Sequence, residues 1–434
     1  MNITTHSRQV VLSLVTLAIT VFSSALAICE ETSQANSFAI RNATIYNTNH
    51  EVITGNIIVK QGKISAIGAT AIPSGFKVID ASNGSVTPGL FNAITHIGVE
   101  EVSQIPETVD KLTLDPRITA SLKIADAFNF RSTAIGINRS QGLTHALVLP
   151  SSGTSLIAGQ AALIDLSGSR QSVIDDFAAL VVNLGEQGQA LAGGSRAAAM
   201  LQLKEAFQDA RDYMANKAQF NQGQRRTYAL SRLDLDALST VISQQKPVII
   251  QVNRAADILN VLEFVKEENI SAALLNAEEA WIVADKIAEA KVPVIIDPIR
   301  NIPSHYESLG ARSDNAALLH QAGVKLIFSG KDWRSTHSAY LVRQSAGNAV
   351  ASGLDKSAAI QAMTSNPAEV FAKGKIPAEL KIGETANFVV WSGDPLELTS
   401  EPLSVIINGQ LSSLETRSQK LAERYLKKNQ QAKH

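Results

Sequence analysis

Asp80-Ala-Ser-Asn-Gly-Ser-Val-Thr-Pro-Gly-Leu-Phe-Asn-Ala-Ile-Thr-His-Ile-Gly98 divides this chain into two rhythms. Before it, strand-like runs at 38–46, 55–68 and 77–80 are punctuated by Gly and Asn, the pattern of hairpins. Beyond Val86-Thr87-Pro88-Gly89, short apolar β-branched runs alternate with helix-length segments, as in a parallel βα fold. Inner strands are expected at 144–149, 179–184, 247–252, 272–275, 293–297 and 325–328, with helices at 196–215 and 278–290. Hairpin character returns after Ile382, at 386–391 and 404–409, so both chain ends should contribute to one small β unit.

Composition sets the frame for that reading. With 434 residues, 45% hydrophobic and 18% charged, the chain can bury a large core. Lys and Arg number 39 against 40 Asp and Glu, a formal net charge of −1, so no global field draws in a polyanion and nucleic acid is not an expected partner. Residues 1–27 read as an export signal: Arg8, an apolar stretch from Val10 to Val21, and small residues at Ala25-Leu26-Ala27. Ser13, Thr16, Thr20, Ser23 and Ser24 interrupt the stretch and argue against a membrane span, so no membrane contact is expected after cleavage. The expected location is periplasmic or secreted. Cys29 is the only cysteine, which excludes an internal disulfide, and Ile28 before it argues against lipid attachment.

The stretch from Asp80 to Gly98 resembles the amidohydrolase superfamily, whose first barrel strand reads Pro-Gly-Leu-Ile-Asp-x-His-x-His. Further stretches fall in family order. Gly142–Pro150 with Ile157-Ala-Gly-Gln160 is similar to the second-strand region of imidazolonepropionase-like members, and Pro247–Asp257 to their fifth strand. Ala362–Ala368 and Ile382–Trp391 resemble the barrel's end and the return to the β unit. The resemblance implies an α/β fold, a distorted (β/α)₈ TIM barrel with a small β-sandwich built from both chain ends. The expected parts are a signal over 1–27, sandwich over 28–87, barrel over 88–375, sandwich again over 376–412 and a charged tail over 413–434.

The same resemblance implies a metal site, and this chain departs from it. Asn92, Ile94 and His96 alternate along the first strand and are expected to share a face. The family carries Asp at the first position and His at the other two, where paired imidazoles clamp a divalent cation that activates water. Ile94 has no lone pair. The fourth strand offers no carboxylated Lys or Glu, though Glu186 follows it. Gln251 stands where the fifth-strand His is expected and Asn276 where the sixth-strand His is, both amides in place of imidazoles. The eighth strand should end in an Asp that takes the proton from the attacking water. Ungapped counting puts Lys331 there, as a point charge in a metal's place, whereas matching Gly330-Lys-Asp332 to the family's Gly-Thr-Asp retains Asp332. His145 is a further cavity candidate.

Two functional readings follow. One is a barrel that has lost metal-dependent hydrolysis and binds a small molecule, alone or as a homo-oligomer or beside an intact relative. The other is a hydrolase of amide or cyclic amide C–N bonds with one divalent, zinc-like metal held by His96 with Asp332 and by Glu186 or His145. A Gly-x-Ser-x-Gly elbow, a Walker-type loop and a dinucleotide fingerprint are all missing from the sequence.

Overall fold

The computed structural model describes residues 36–47, 52–330 and 335–431. The expected signal segment, Cys29 and the Lys331–Asp332 pair lie outside the described residues.

Two eight-stranded sheets organise the chain. The first runs from both ends, as expected: β1 (Phe38–Tyr46), β2 (Val52–Lys60), β3 (Lys63–Gly68), β4 (Lys77–Asp80) and β5 (Ser85–Pro88) join β14 (Phe388–Trp391), β15 (Pro402–Ile407) and β16 (Gln410–Leu411). β14 pairs antiparallel with β5, which closes the chain ends onto one another. Phe38, Ile57, Phe388 and Ile406 form the core of this unit.

The second sheet holds β6 (Leu90–Thr95), β7 (Leu143–Val148), β8 (Ile157–Asp165), β9 (Val173–Asn183), β10 (Val248–Val252), β11 (Ala272–Asn276), β12 (Val294–Ile296) and β13 (Leu326–Phe328), paired in sequence order. It is a nearly closed barrel. Both faces are apolar: Leu147, Val181, Ile249, Ala273, Ile295 and Ile327 fill the interior, while neighbours such as Val182, Ile250, Leu274 and Phe328 pack outward against helices. Those helices, among them Arg232–Gln244, Ala255–Glu267 and Asn315–Gln321, are the crossovers that parallel pairing of β9 through β13 requires.

The six expected inner strands correspond to β7 and β9 to β13, but β8 departs from the all-parallel expectation. It pairs antiparallel with both β7 and β9. The reason is chain length. Residues 149–156 and 166–172 are too short to carry a crossover, so each can only reverse the chain, and two reversals return β9 to the direction of β7.

A glycine joins the two sheets. Gly89 lies between β5 and β6, and a Cβ there would stand 2.1 Å from Thr144 Oγ1, so only glycine lets β6 lie against β7. Beside it, Trp391 is fully buried and donates from Nε1 to Thr87 Oγ1 at 3.0 Å.

Candidate functional site

A cavity of about 650 Å³ opens where the parallel strands end. Ile94 and His96 line it from β6 and its extension, Val181 and Asn183 from β9, Gln251 from β10 and Leu275 from β11; Ser151, Lys111, Glu100 and Ser335 come from loops. This is the end of a parallel barrel where loops and strand termini converge.

A bulge decides which β6 residues face this cavity. Between Asn92 and Thr95 the strand advances three residues while β7 advances two, from Ala146 to Val148. The alternation changes phase there. Phe91 and Ala93 face the barrel interior below the bulge, and Ile94 and His96 face the cavity above it. Asn92 is consequently not on the shared face expected from period-two alternation. It is fully buried, donates from Nδ2 to the Ala339 carbonyl at 2.9 Å and accepts from the Ile94 N–H at 3.0 Å, which fastens the bulge.

His96 is held from four sides. Nε2 lies 3.2 Å from Ser151 Oγ, and Nδ1 lies 3.3 Å from Ser335 Oγ and 3.6 Å from Glu100 Oε2. Its backbone N–H donates to the Ser335 carbonyl at 2.7 Å. Lys111 Nζ stands 2.5 Å from the same Glu100 oxygen. Burial, and after it the Lys111 ammonium, push the imidazole pKa down to about 3, so the ring is neutral near pH 7.

The other expected site residues divide into those at the cavity and those away from it. Gln251 is on the wall, its Nε2 3.4 Å from Gln187 Oε1. Asn276 ends β11 with a left-handed backbone (φ 75°) and faces a separate small cavity of about 20 Å³ beside Glu278 and Asn315. Leu275 reaches the main cavity in its place. Glu186 does not line the cavity; its Oε1 accepts from the Glu307 N–H at 3.0 Å. His145 lies deeper, near the N-terminal end of β7, stacked on Phe91 at 6.5 Å and paired in register with Asp165. Its Nδ1 is 2.9 Å from Thr144 Oγ1, and its Nε2 has no hydrogen-bond partner among the described residues. Burial lowers its pKa to about 4, with Asp165 opposing the shift.

Ser151, Ser335, Glu100 and Lys111 were not legible as site residues. The one local signal was the four-residue spacing of His96 and Glu100, together with serines directly after the end of β7.

Among the described residues the cavity offers few donors for a divalent cation. Ile94 presents an alkyl group, Gln251 an amide, and His96 has a hydroxyl opposite each nitrogen and an ammonium nearby. Among the described residues no group of three or more His, Cys, Asp or Glu side chains converges as metal ligands.

Comparison with known proteins agrees with this architecture. Residues 200–412 match the model of the amidohydrolase family. The amidohydrolase tasK of Hapsidospora irregularis is 21% identical, over 82% of this chain and 39% of its own length, so the chain spans about two fifths of that relative. Among solved structures, an amidohydrolase from Thermotoga maritima MSB8 superposes with a TM-score of 0.76 at 22% identity, covering 86% of this chain and 99% of that one. Molinate hydrolase superposes at 0.53 with 15% identity, covering 88% and 95%. Sequence match and barrel architecture coincide: residues 200–412 match the amidohydrolase family, and the chain shares the barrel fold of these solved hydrolases.

Proposed function

We propose that this chain has lost the metal-dependent hydrolysis of the amidohydrolase superfamily and uses the strand-end cavity to bind a small polar organic molecule. One observation carries the reading: the cavity wall offers the alkyl group of Ile94 beside a His96 whose two nitrogens both face serine hydroxyls. Severe loss of affinity is expected from each replaced metal ligand. The hydroxyls of Ser151 and Ser335, the amides of Asn183 and Gln251 and the apolar Leu149 and Val181 suit a ligand of mixed polarity.

Metal analysis tests this directly. Purified protein dialysed against zinc and manganese should retain less than roughly a tenth of an equivalent. A single-metal hydrolase built on His96 and Asp332 requires near-stoichiometric metal that disappears in His96→Ala, and that result would reverse the reading.

Export is part of the proposal and rests on residues 1–27 alone; N-terminal sequencing of protein from the periplasm or medium should begin near Ile28. Assembly with an intact relative is proposed on chemical grounds, since a partner with complete ligands would supply the missing hydrolysis. Co-purification from the native source tests it.

A further inference from the structure

Ser151 and His96 stand as a nucleophile beside its base, with Ser335 Oγ 3.3 Å from the far ring nitrogen and the Glu100 carboxylate as the nearest negative charge there. Ser151 Oγ is 3.2 Å from His96 Nε2, and Glu100 Oε2 is 3.6 Å from His96 Nδ1 on the far side of the ring. All four line the same cavity. None is a loose surface group: the Ser151 N–H donates to the Lys111 carbonyl at 2.7 Å, the Glu100 N–H donates to the His96 carbonyl at 3.1 Å, and Lys111 Nζ fixes the Glu100 carboxylate. A hydroxyl within hydrogen-bond reach of an imidazole, itself oriented by a third group, is the general geometry of nucleophilic catalysis.

We infer that the cavity carries out metal-free acyl transfer on small neutral esters, with Ser151 as nucleophile, His96 as base, Ser335 as the positioning residue on Nδ1 and Glu100 as the charge that favours the imidazolium. The inference rests on the metal-free reading above, because a cation on His96 Nε2 would take the lone pair that faces Ser151. In the first step Ser151 Oγ bonds to the acyl carbon and its proton passes to His96 Nε2. The ester C–O bond then breaks, and the departing alcohol takes that proton from His96. Water next attacks the acyl-serine carbon, giving its proton to His96; the Ser151 Oγ–acyl bond breaks, and Ser151 recovers the proton as the carboxylic acid leaves.

The lining selects the substrate class. Leu149, Val181 and Leu275 give an apolar wall, and Asn183 and Gln251 supply neutral amides. Among the described lining residues Lys111 is the only Lys or Arg, and Glu100 already neutralises it, so an anionic substrate gains little. Esters are favoured over unstrained amides because an alkoxide leaves with less help from the proton donor than an amine does.

The test uses the whole chain, assayed for bound metal and divided into two parts. One part is treated with a fluorophosphonate and digested; the other is given p-nitrophenyl acetate with and without a chelator. An adduct on the Ser151 peptide is expected, with chelator-insensitive p-nitrophenol release that falls at least about 100-fold in Ser151→Ala and His96→Asn. Ser335→Ala and Glu100→Gln should each lower kcat with KM unchanged, whereas general loosening of the cavity would raise KM. Should Ser151→Ala fail to fold, Ser151→Cys keeps an attacking atom in place and should itself be acylated by p-nitrophenyl acetate. Metal-free protein that gives no Ser151 adduct, or is labelled equally well without His96, overturns this inference alone. Stoichiometric metal, with activity lost to the chelator, overturns the reading beneath it.

Discussion

Lys111 and Glu100 form an ion pair of 2.5 Å in the cavity wall, with the Lys111 side chain 24% and the Glu100 side chain 10% exposed. Lys111→Met leaves the more buried partner charged and uncompensated. A loss of about 2 kcal/mol is expected, below the range for fully buried pairs because water reaches the lysine. Urea unfolding should show it, and Glu100→Gln in the same chain should recover part of it. The ammonium also holds the His96 pKa down, so the variant should raise it, as read by NMR of the imidazole protons.

Ile94 and Gln251 both line the cavity that His96 enters. Replacing both by His supplies three imidazoles around one space, the minimum for a catalytic-type zinc site. Zinc titration by calorimetry should show binding near one equivalent in Ile94→His/Gln251→His and none in the parent. Asn276→His added alone should have no such effect, since that residue faces the separate small cavity. Zinc binding in the Asn276 variant, or none in the double variant, would contradict this placement.

Acid sensitivity should trace to two buried imidazoles. His145 takes up its proton near pH 4 and His96 near pH 3, against about 6.5 in the unfolded chain. Between those values the unfolded state binds more protons, so stability falls as pH drops below about 6.5. The loss is complete once the folded histidines are protonated as well. Each can contribute up to about 1.4 kcal/mol per pH unit in that window. His145→Phe keeps a ring on Phe91 and removes one proton site. Its unfolding free energy should fall less steeply from pH 6.5 to 4 than the parent's, and parallel curves would refute the assignment.

The barrel was legible because strands buried on both faces need unbroken apolar, β-branched runs, as in Val248-Ile-Ile and Val294-Ile-Ile. β8 was not, because Ile157-Ala-Gly-Gln160 has too little β character for its burial to show locally. The three-against-two count at Asn92 was hidden for a different reason: a bulge is a relation between two strands, and period-two reasoning on one strand cannot contain it. Lys111 and Glu100 belong to a long loop whose return to His96 is a tertiary fact. That Ile94 and Gln251 bring no imidazole to the cavity, by contrast, is readable from residue type alone.

Glu307 anchors the loop that follows β12 to the ends of β9 and β10, and this makes a sharper test of the barrel mouth than any single apolar residue. The carboxylate is 2% exposed; Oε1 accepts from Arg196 Nη2 at 2.7 Å and Nε at 3.2 Å, and Oε2 accepts from Asn253 Nδ2 at 3.2 Å. Gly185, at φ +69°, leaves the space that the carboxylate occupies: a Cβ there would stand 2.5 Å from Glu307 Oε2. Removing the acid leaves Arg196, among the described residues, with the longer 3.5 Å ion pair to Asp257, so Glu307→Ala should cost about 3 kcal/mol. Limited proteolysis should then cut within 298–314 faster than in the parent, because Ile302 and Tyr306 are exposed and the loop keeps neutral-donor ties such as Glu186 Oε1 to the residue 307 N–H and Trp281 Nε1 to the Gly310 carbonyl in place of the ion pair. Arg196→Ala in the Glu307→Ala background should add far less than it does alone, since the two share one interaction. Additive losses, or a loop equally resistant to cleavage, would mean that the loop is held by its backbone and that Glu307 is a passenger.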